Sequence, residues 1–306
     1  MKNRRLAPDW SAKLMTAVSN PQWLLEGNIA QNVLFNLLQL AEGKSNPELN
    51  ALAEIDQPVP VCYLDESSSE YFDLSEAPDG ITAVIPLKGT MLKYGTYYHY
   101  GTTEIAQMIL EAAGSDKVVA IVIDADSGGG QVSSIAPIHY AIKYAQSLGK
   151  PVVASADISA SANIYAIAAC DAIIANNNIS SSFGSIGVMV SFFDMNPYYE
   201  KLGMKYHEIY PDESSEKNQI WQKAKNDDYE AIKKDFLSPL AIKFQDDMKV
   251  FRAGKLNLDR PDILKGIMLS ADEAMAEGLI DIVGDQKTAL NHALELVQVN
   301  KFLSNR

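Results

Sequence analysis

Three short stretches carry residue types suited to acyl transfer. A glycine run, Ser127-Gly128-Gly129-Gly130-Gln131-Val132, comes first. Next is a serine among small residues, Ile158-Ser159-Ala160-Ser161-Ala162-Asn163, and last is Phe183-Gly184-Ser185-Ile186-Gly187-Val188. Acyl transfer to water needs a nucleophile and free backbone N–H groups that hold an oxyanion. Ser161 is the candidate nucleophile. Its small neighbours admit a substrate backbone, and a helix opening there aims N–H groups and a positive dipole end at the same point. A serine before a helix is equally an ordinary N-cap, and Ser155 and Ser159 compete for the catalytic role. Gly129 and Gly130 suit a loop that needs φ > 0 and close backbone approach. A flexible turn would also account for a triple glycine taken alone.

The elements that must position these residues alternate. Ile81–Leu87, Val118–Ile123, Val152–Ala156 and Ala172–Ala175 read as strands, and 104–114, 133–148 and 160–170 as helices. Strands apolar on both faces that alternate with helices predict a largely parallel sheet covered on both sides, an α/β fold. Sites in such sheets lie at the carboxyl ends of strands, where the glycine run and Ser161 both fall. Residues 1–79 read as a helical N-terminal appendage, with apolar spacing through Val33–Leu40, followed by a polar linker. Residues 80–290 form the main domain and 291–306 a C-terminal tail. A long charged helix is expected over 219–253. Ser270 and Glu273 have capping-box spacing.

The chain has 306 residues, 47% hydrophobic content and a net charge of −13. That charge excludes a general phosphate-neutralising surface, so no nucleic acid is expected. Cys62 and Cys170 form neither a disulfide framework nor a metal pattern, and no metal or cofactor is implied. A reducing cytoplasm is the simplest setting. No stretch approaches the about 18 uncharged apolar residues of a membrane helix, so no anchor is expected.

The motif set resembles the signal peptide peptidase A family of serine peptidases, which share the Clp protease/crotonase-like fold. The correspondence rests on Val84-Ile85-Pro86-Leu87-Lys88-Gly89, Ser127–Val132, Ala160-Ser161-Ala162, the interval from Ser161 to Asp171, Gly184–Val188 and Ala274–Asp281, all in order. The resemblance implies a peptidase with a Ser-Lys dyad and no catalytic histidine. His99, His139, His207 and His292 all lack a triad context. Ser161 would be the nucleophile, with the N–H groups of Gly129 and Ala162, and Gly130 beside them, forming the oxyanion hole. Lys217 is the best candidate for the base, with Lys205, Lys223 and Lys225 as alternatives, and Ser185 would orient the lysine amine. The resemblance further implies protein or peptide substrates and a ring- or dome-shaped homo-oligomer. The branch without an anchor is similar to phage head-maturation proteases, which points to capsid or scaffold substrates in a host cytoplasm or prohead. The alternatives are a cytoplasmic housekeeping peptidase, an acyl-coenzyme A-binding crotonase relative, which Ser161 argues against, and a non-catalytic assembly protein that keeps the fold.

Overall fold

The computed structural model describes residues 23–25 (backbone only), 61–65, 69–95, 100–192, 196–205 and 207–304. In chain order the strands and helices are β1 (Trp23–Leu25), β2 (Cys62–Leu64), β3 (Glu70–Tyr71), β4 (Ile81–Lys88), α1 (Thr102–Gly114), β5 (Val118–Ser127), β6 (Gly129–Gln131), α2 (Ile135–Ser147), β7 (Val152–Ala160), α3 (Ala162–Ile167), β8 (Ala172–Ala175) and β9 (Ser182–Gly184). They continue with α4 (Asn196–Lys201), α5 (Gln219–Ala224), α6 (Ser238–Phe251), β10 (Met268–Ser270), α7 (Ala271–Ala276), β11 (Ile282–Val283) and α8 (Gln286–Ser304).

The central sheet runs β10-β9-β7-β5-β4-β2-β3, with β8 also on β7 and β11 on β8. The β4–β5, β5–β7, β7–β8, β7–β9 and β8–β11 pairs are parallel, and the outer pairs are antiparallel. Successive residues of a strand point to opposite faces. Ile121, Ile123 and Ala125 of β5 therefore join the large core with α1, α2 and α3, whereas Ala120 and Val122 face α8. This is the expected α/β fold with a mostly parallel, helix-covered sheet.

Four differences from the sequence reading have physical causes. Trp23–Leu25 form a strand within the stretch read as helical, while residues 1–22 and 26–60 of that appendage lie outside the described residues. The stretch read as linker supplies β2 and β3, which extend the sheet edge. The stretch read as a tail belongs to α8, whose Ala289, Ala293 and Val297 are buried against the second sheet face at a four-residue spacing. The long helix expected over 219–253 is broken: α5 ends at Ala224, Asp227 has φ 59°, and a π-helical turn, Ile232–Leu237, precedes α6.

The region after α6 is clamped by a buried ion pair. Arg252, 2% exposed, donates to both oxygens of Asp281 at 2.8 and 3.0 Å and to the Gly278 carbonyl. Asp281 also accepts from the Ile173 N–H at 2.8 Å and from Lys255 at 2.6 Å. Burial would push the Asp281 carboxyl up, but the Arg252 hydrogen bonds and charge outweigh it and hold the group below the usual carboxylate range.

Candidate active site

Ser161 stands at the junction of β7 and α3 with φ 56° and ψ −116°. A positive φ is uncommon for any side chain but glycine, and such strain concentrates at functional sites. The conformation follows from how the junction is held. Ala160 is in register with Gly184 of β9, and the Ser161 N–H donates to the Gly184 carbonyl at 2.9 Å. The Ser161 carbonyl meanwhile accepts from the Tyr165 N–H at 3.1 Å, which starts α3. The chain must turn from strand to helix within one residue, and Ser161 absorbs the turn.

The Ser161 side chain does not cap α3. Although the residue is only 2% exposed, its hydroxyl makes no hydrogen bond among the described residues. The two rival serines are committed elsewhere. Ser159 donates to Asn163 Oδ1 at 2.6 Å, and Ser155 to Asn176 Oδ1 at 2.5 Å. Asp171 holds the far end of the sheet, where its carboxylate accepts from the Val152 N–H at 2.7 Å. Its fixed interval from Ser161 thus reflects the β7–α3–β8 frame.

The glycine run forms β6 beside Ser161, and α3 packs against it. Gln131 N–H donates to the Met91 carbonyl and Met91 N–H to the Gly129 carbonyl, both at 2.9 Å. A Cβ on Gly130 would lie 2.0 Å from the Met91 oxygen, so only glycine fits there. The Gly129 N–H, expected to serve the oxyanion hole, donates instead to the Ser127 hydroxyl at 3.0 Å. That hydroxyl donates onward to the Gly89 carbonyl at 2.5 Å. Gly129 has φ 103°, which accompanies this return of its N–H toward Ser127. Alternate residues of a strand turn N–H and C=O to opposite sides, so those of Gly130 face away from Met91. The Ala162 N–H, in the first turn of α3, has no intrahelical acceptor.

Gly184 holds the site from the other side. Its φ is 140°, and a Cβ there would meet the Ile267 oxygen at 2.1 Å. The next residue, Ser185, also has a positive φ, 54°, with its N–H on the Ile267 carbonyl at 2.7 Å. Its half-buried hydroxyl makes no hydrogen bond among the described residues.

Among the described residues no lysine hydrogen-bonds or ion-pairs with Ser161 or Ser185. Lys217 is exposed in the turn between Asp212–Ser214 and α5, its N–H on the Ser214 carbonyl at 3.0 Å. Lys205 and Lys223 are exposed as well, and Lys225 is paired with Glu208. One chain alone therefore does not bring the expected dyad into contact. The described histidines stand apart from Ser161 too. His139 Nε2 donates to the Tyr165 carbonyl at 2.8 Å, with burial pushing its pKa down, and His292 lies beside Glu295. His207 is exposed, and His99 lies outside the described residues. No cluster of His, Cys, Asp and Glu among the described residues is arranged to hold a metal ion.

A network that the sequence reading missed anchors α3. Tyr165 stacks on Phe244 of α6, with centroids 4.2 Å apart and an 8° interplanar angle, and donates its hydroxyl to Asp247. Lys243 reaches the same carboxylate at 2.5 Å. The aromatic spacing on α6 was the available signal, but the long charged-helix reading obscured it.

Residues 144–300, from the end of α2 through most of α8, match the model of peptidase family S49. The chain belongs to that family. The matched stretch contains Ser161, Ser185 and Lys217, and the glycine strand lies just before it. A protein of Brucella melitensis biotype 1, described as the Na(+)/H(+) antiporter NhaA, is 31% identical over 239 residues, covering 73% of this chain and 31% of that protein. The chloroplastic serine protease SPPA of Arabidopsis thaliana is 28% identical over 208 residues, covering 62% of this chain and 28% of that protein. The S49 chain thus spans less than a third of the length of these curated relatives. Among solved structures, a membrane-bound stomatin-specific protease in complex with a substrate peptide is similar at a TM-score of 0.43 and 18% identity, covering 68% of this chain and 76% of that one. No helix among the described residues is long and apolar enough to cross a membrane.

Proposed function

We propose that this S49 chain is a serine endopeptidase with Ser161 as nucleophile and Lys217 as base. The observation that carries the reading is the strained Ser161 turn, with a hydroxyl that does not cap α3 and makes no hydrogen bond among the described residues. Ser161 Oγ attacks the scissile carbonyl carbon while a neutral lysine amine takes its proton. The resulting oxyanion is held by the Ala162 N–H and by a glycine-strand N–H, that of Gly130 or of Gly129 once Ser127 releases it. The intermediate collapses with loss of the amine, which takes the proton back from lysine. Water then cleaves the acyl ester by the same route and regenerates Ser161. Ser185 orients the lysine amine.

The exposed position of Lys217 favours a dyad assembled between subunits, with the lysine segment of one chain reaching Ser161 of its neighbour in a ring or dome. For the physiological substrate we propose capsid or scaffold proteins of a phage or prophage head, on the resemblance of the motif set to head-maturation proteases. Co-expression with capsid and scaffold proteins tests the substrate. Their site-specific cleavage by wild type and not by Ser161→Ala supports it, and intact capsid and scaffold alongside an otherwise active peptidase contradicts it.

A further inference from the structure

The strand β6 is flanked on both sides. Met91 takes one edge, and the N–H and C=O of Gly130 face the other. That second edge is filled by β1, antiparallel, with Trp23 opposite Gln131, Leu24 opposite Gly130 and Leu25 opposite Gly129. Among the described residues β1 pairs with no other strand and is not part of the central sheet. The helix α3, which opens at Ser161, packs on β6, so the strand that β1 covers lies beside that turn.

We infer that the edge of β6 covered by β1 is a docking site for an extended peptide and that the chain's own segment around Leu24 is its resident occupant. The part of this inference that concerns competition with substrate rests on the reading of Ser161 as nucleophile. An extended peptide that adds to a strand edge gains affinity from main-chain hydrogen bonds. The Gly130 N–H on this edge is also one of the two glycine-strand donors that the proposed mechanism considers for the oxyanion. While Leu24 sits opposite Gly130, a substrate strand cannot use the same line of donors and acceptors. A pairing of three residues is weak in itself, because each ladder bond contributes little net stability. Tethering raises its effective concentration to about millimolar, enough to hold the edge until a longer or better-fitting strand displaces it. The segment therefore sets a threshold that substrates must exceed.

The test uses the full chain and a Leu24→Pro variant, which removes the N–H that a ladder residue opposite Gly130 supplies. Amide hydrogen exchange is read at Gly129–Gln131, and kcat/KM on an extended peptide substrate is read in parallel. The expected result is about fivefold or more faster exchange at Gly130 and a rise of similar size in kcat/KM, the factor that one ladder hydrogen bond supplies. A synthetic peptide spanning residues 18–30, added in excess, should reverse both changes. Equal exchange at Gly130 in the two proteins, or no effect of the peptide, overturns the inference. If exchange at Ile121–Ile123 shows that the variant is unfolded, competition against wild type decides: a raised KM at unchanged kcat supports the inference and no change overturns it. If neither protein cleaves any peptide, the nucleophile reading fails, while exchange at Gly130 still decides the docking.

Discussion

The Ser161 N–H donates to the Gly184 carbonyl at 2.9 Å, and both residues have positive φ. One hydrogen bond thus joins the serine turn to the Gly-Ser-Ile-Gly element and fixes the site where β7 meets β9. Ser161 holds a conformation that glycine adopts at far lower cost, while its hydroxyl is left without a hydrogen bond among the described residues. Strain held by a backbone that over-determines it clusters at active sites and ligand clamps.

Ser161→Gly should relieve that strain. Strain of about 1 to 3 kcal/mol, less the about 1 kcal/mol that glycine's freer unfolded chain costs, makes Ser161→Gly up to about 2 kcal/mol more stable than Ser161→Ala in denaturant unfolding, with hydrolysis abolished. Ser161→Ala should keep the fold and the strain and reduce kcat on the order of a millionfold. A Ser161→Gly protein less stable than Ser161→Ala would show that the turn carries no such strain.

Mixing two inactive proteins tests the proposed division of the dyad. Neither Ser161→Ala nor Lys217→Met alone should cleave peptide. Co-assembled, they should recover part of wild-type activity, because mixed rings contain some complete sites. An active monomer by light scattering would rule this out, and failure to recover activity with subunit exchange verified would place both residues in one chain.

The buried pair Arg252–Asp281 should matter to the fold and not to the chemistry. Arg252→Met takes the guanidinium from Asp281, leaves its carboxylate with only the Lys255 amine and the Ile173 N–H, and should cost about 3 kcal/mol, the low end for a broken buried pair. Ser161 labelling by an active-site probe should be unchanged at temperatures where the variant remains folded. A loss under about 1 kcal/mol in urea titration would contradict the assigned role.

Stability should fall in acid in two stages. Burial depresses the folded-state pKa of His139, so its contribution is present above the ordinary histidine value of about 6.5 and is lost as the pH falls below it. Asp281 is also depressed when folded, so its contribution is present above the ordinary carboxylate value of about 4 and is lost as the pH falls through the folded value. His139→Gln should remove the first stage and leave the second. Replacing all four histidines should spare hydrolysis. A folded protein without histidines that no longer cleaves peptide would overturn the reading that no histidine takes part.

Much of this architecture was legible because the long strands β4, β5 and β7 are continuously apolar and punctuated by glycine and proline. The order of motifs located Ser161, β6 and β9. Local pattern alone did not reveal α8 as a core helix, since its buried stripe of Ala289, Ala293 and Val297 is narrow and built largely from small residues. Nor did it reveal β1, whose three residues become a strand only through a partner far along the chain. The engagement of the Gly129 N–H by Ser127 depends on a φ that no residue type specifies uniquely. The placement of Lys217 relative to Ser161 was illegible for a deeper reason: in the proposed assembly it is a property of two chains.

The central claim is that Ser161 is the nucleophile. A fluorophosphonate probe applied to the full-length wild-type protein, followed by proteolytic digestion and mass spectrometry, tests it directly. The account predicts one phosphonylated residue, Ser161, with labelling lost in Ser161→Ala and slowed in Lys217→Met. An adduct on Ser155, Ser159 or Ser185, or labelling of Ser161→Ala at the wild-type rate, would contradict it.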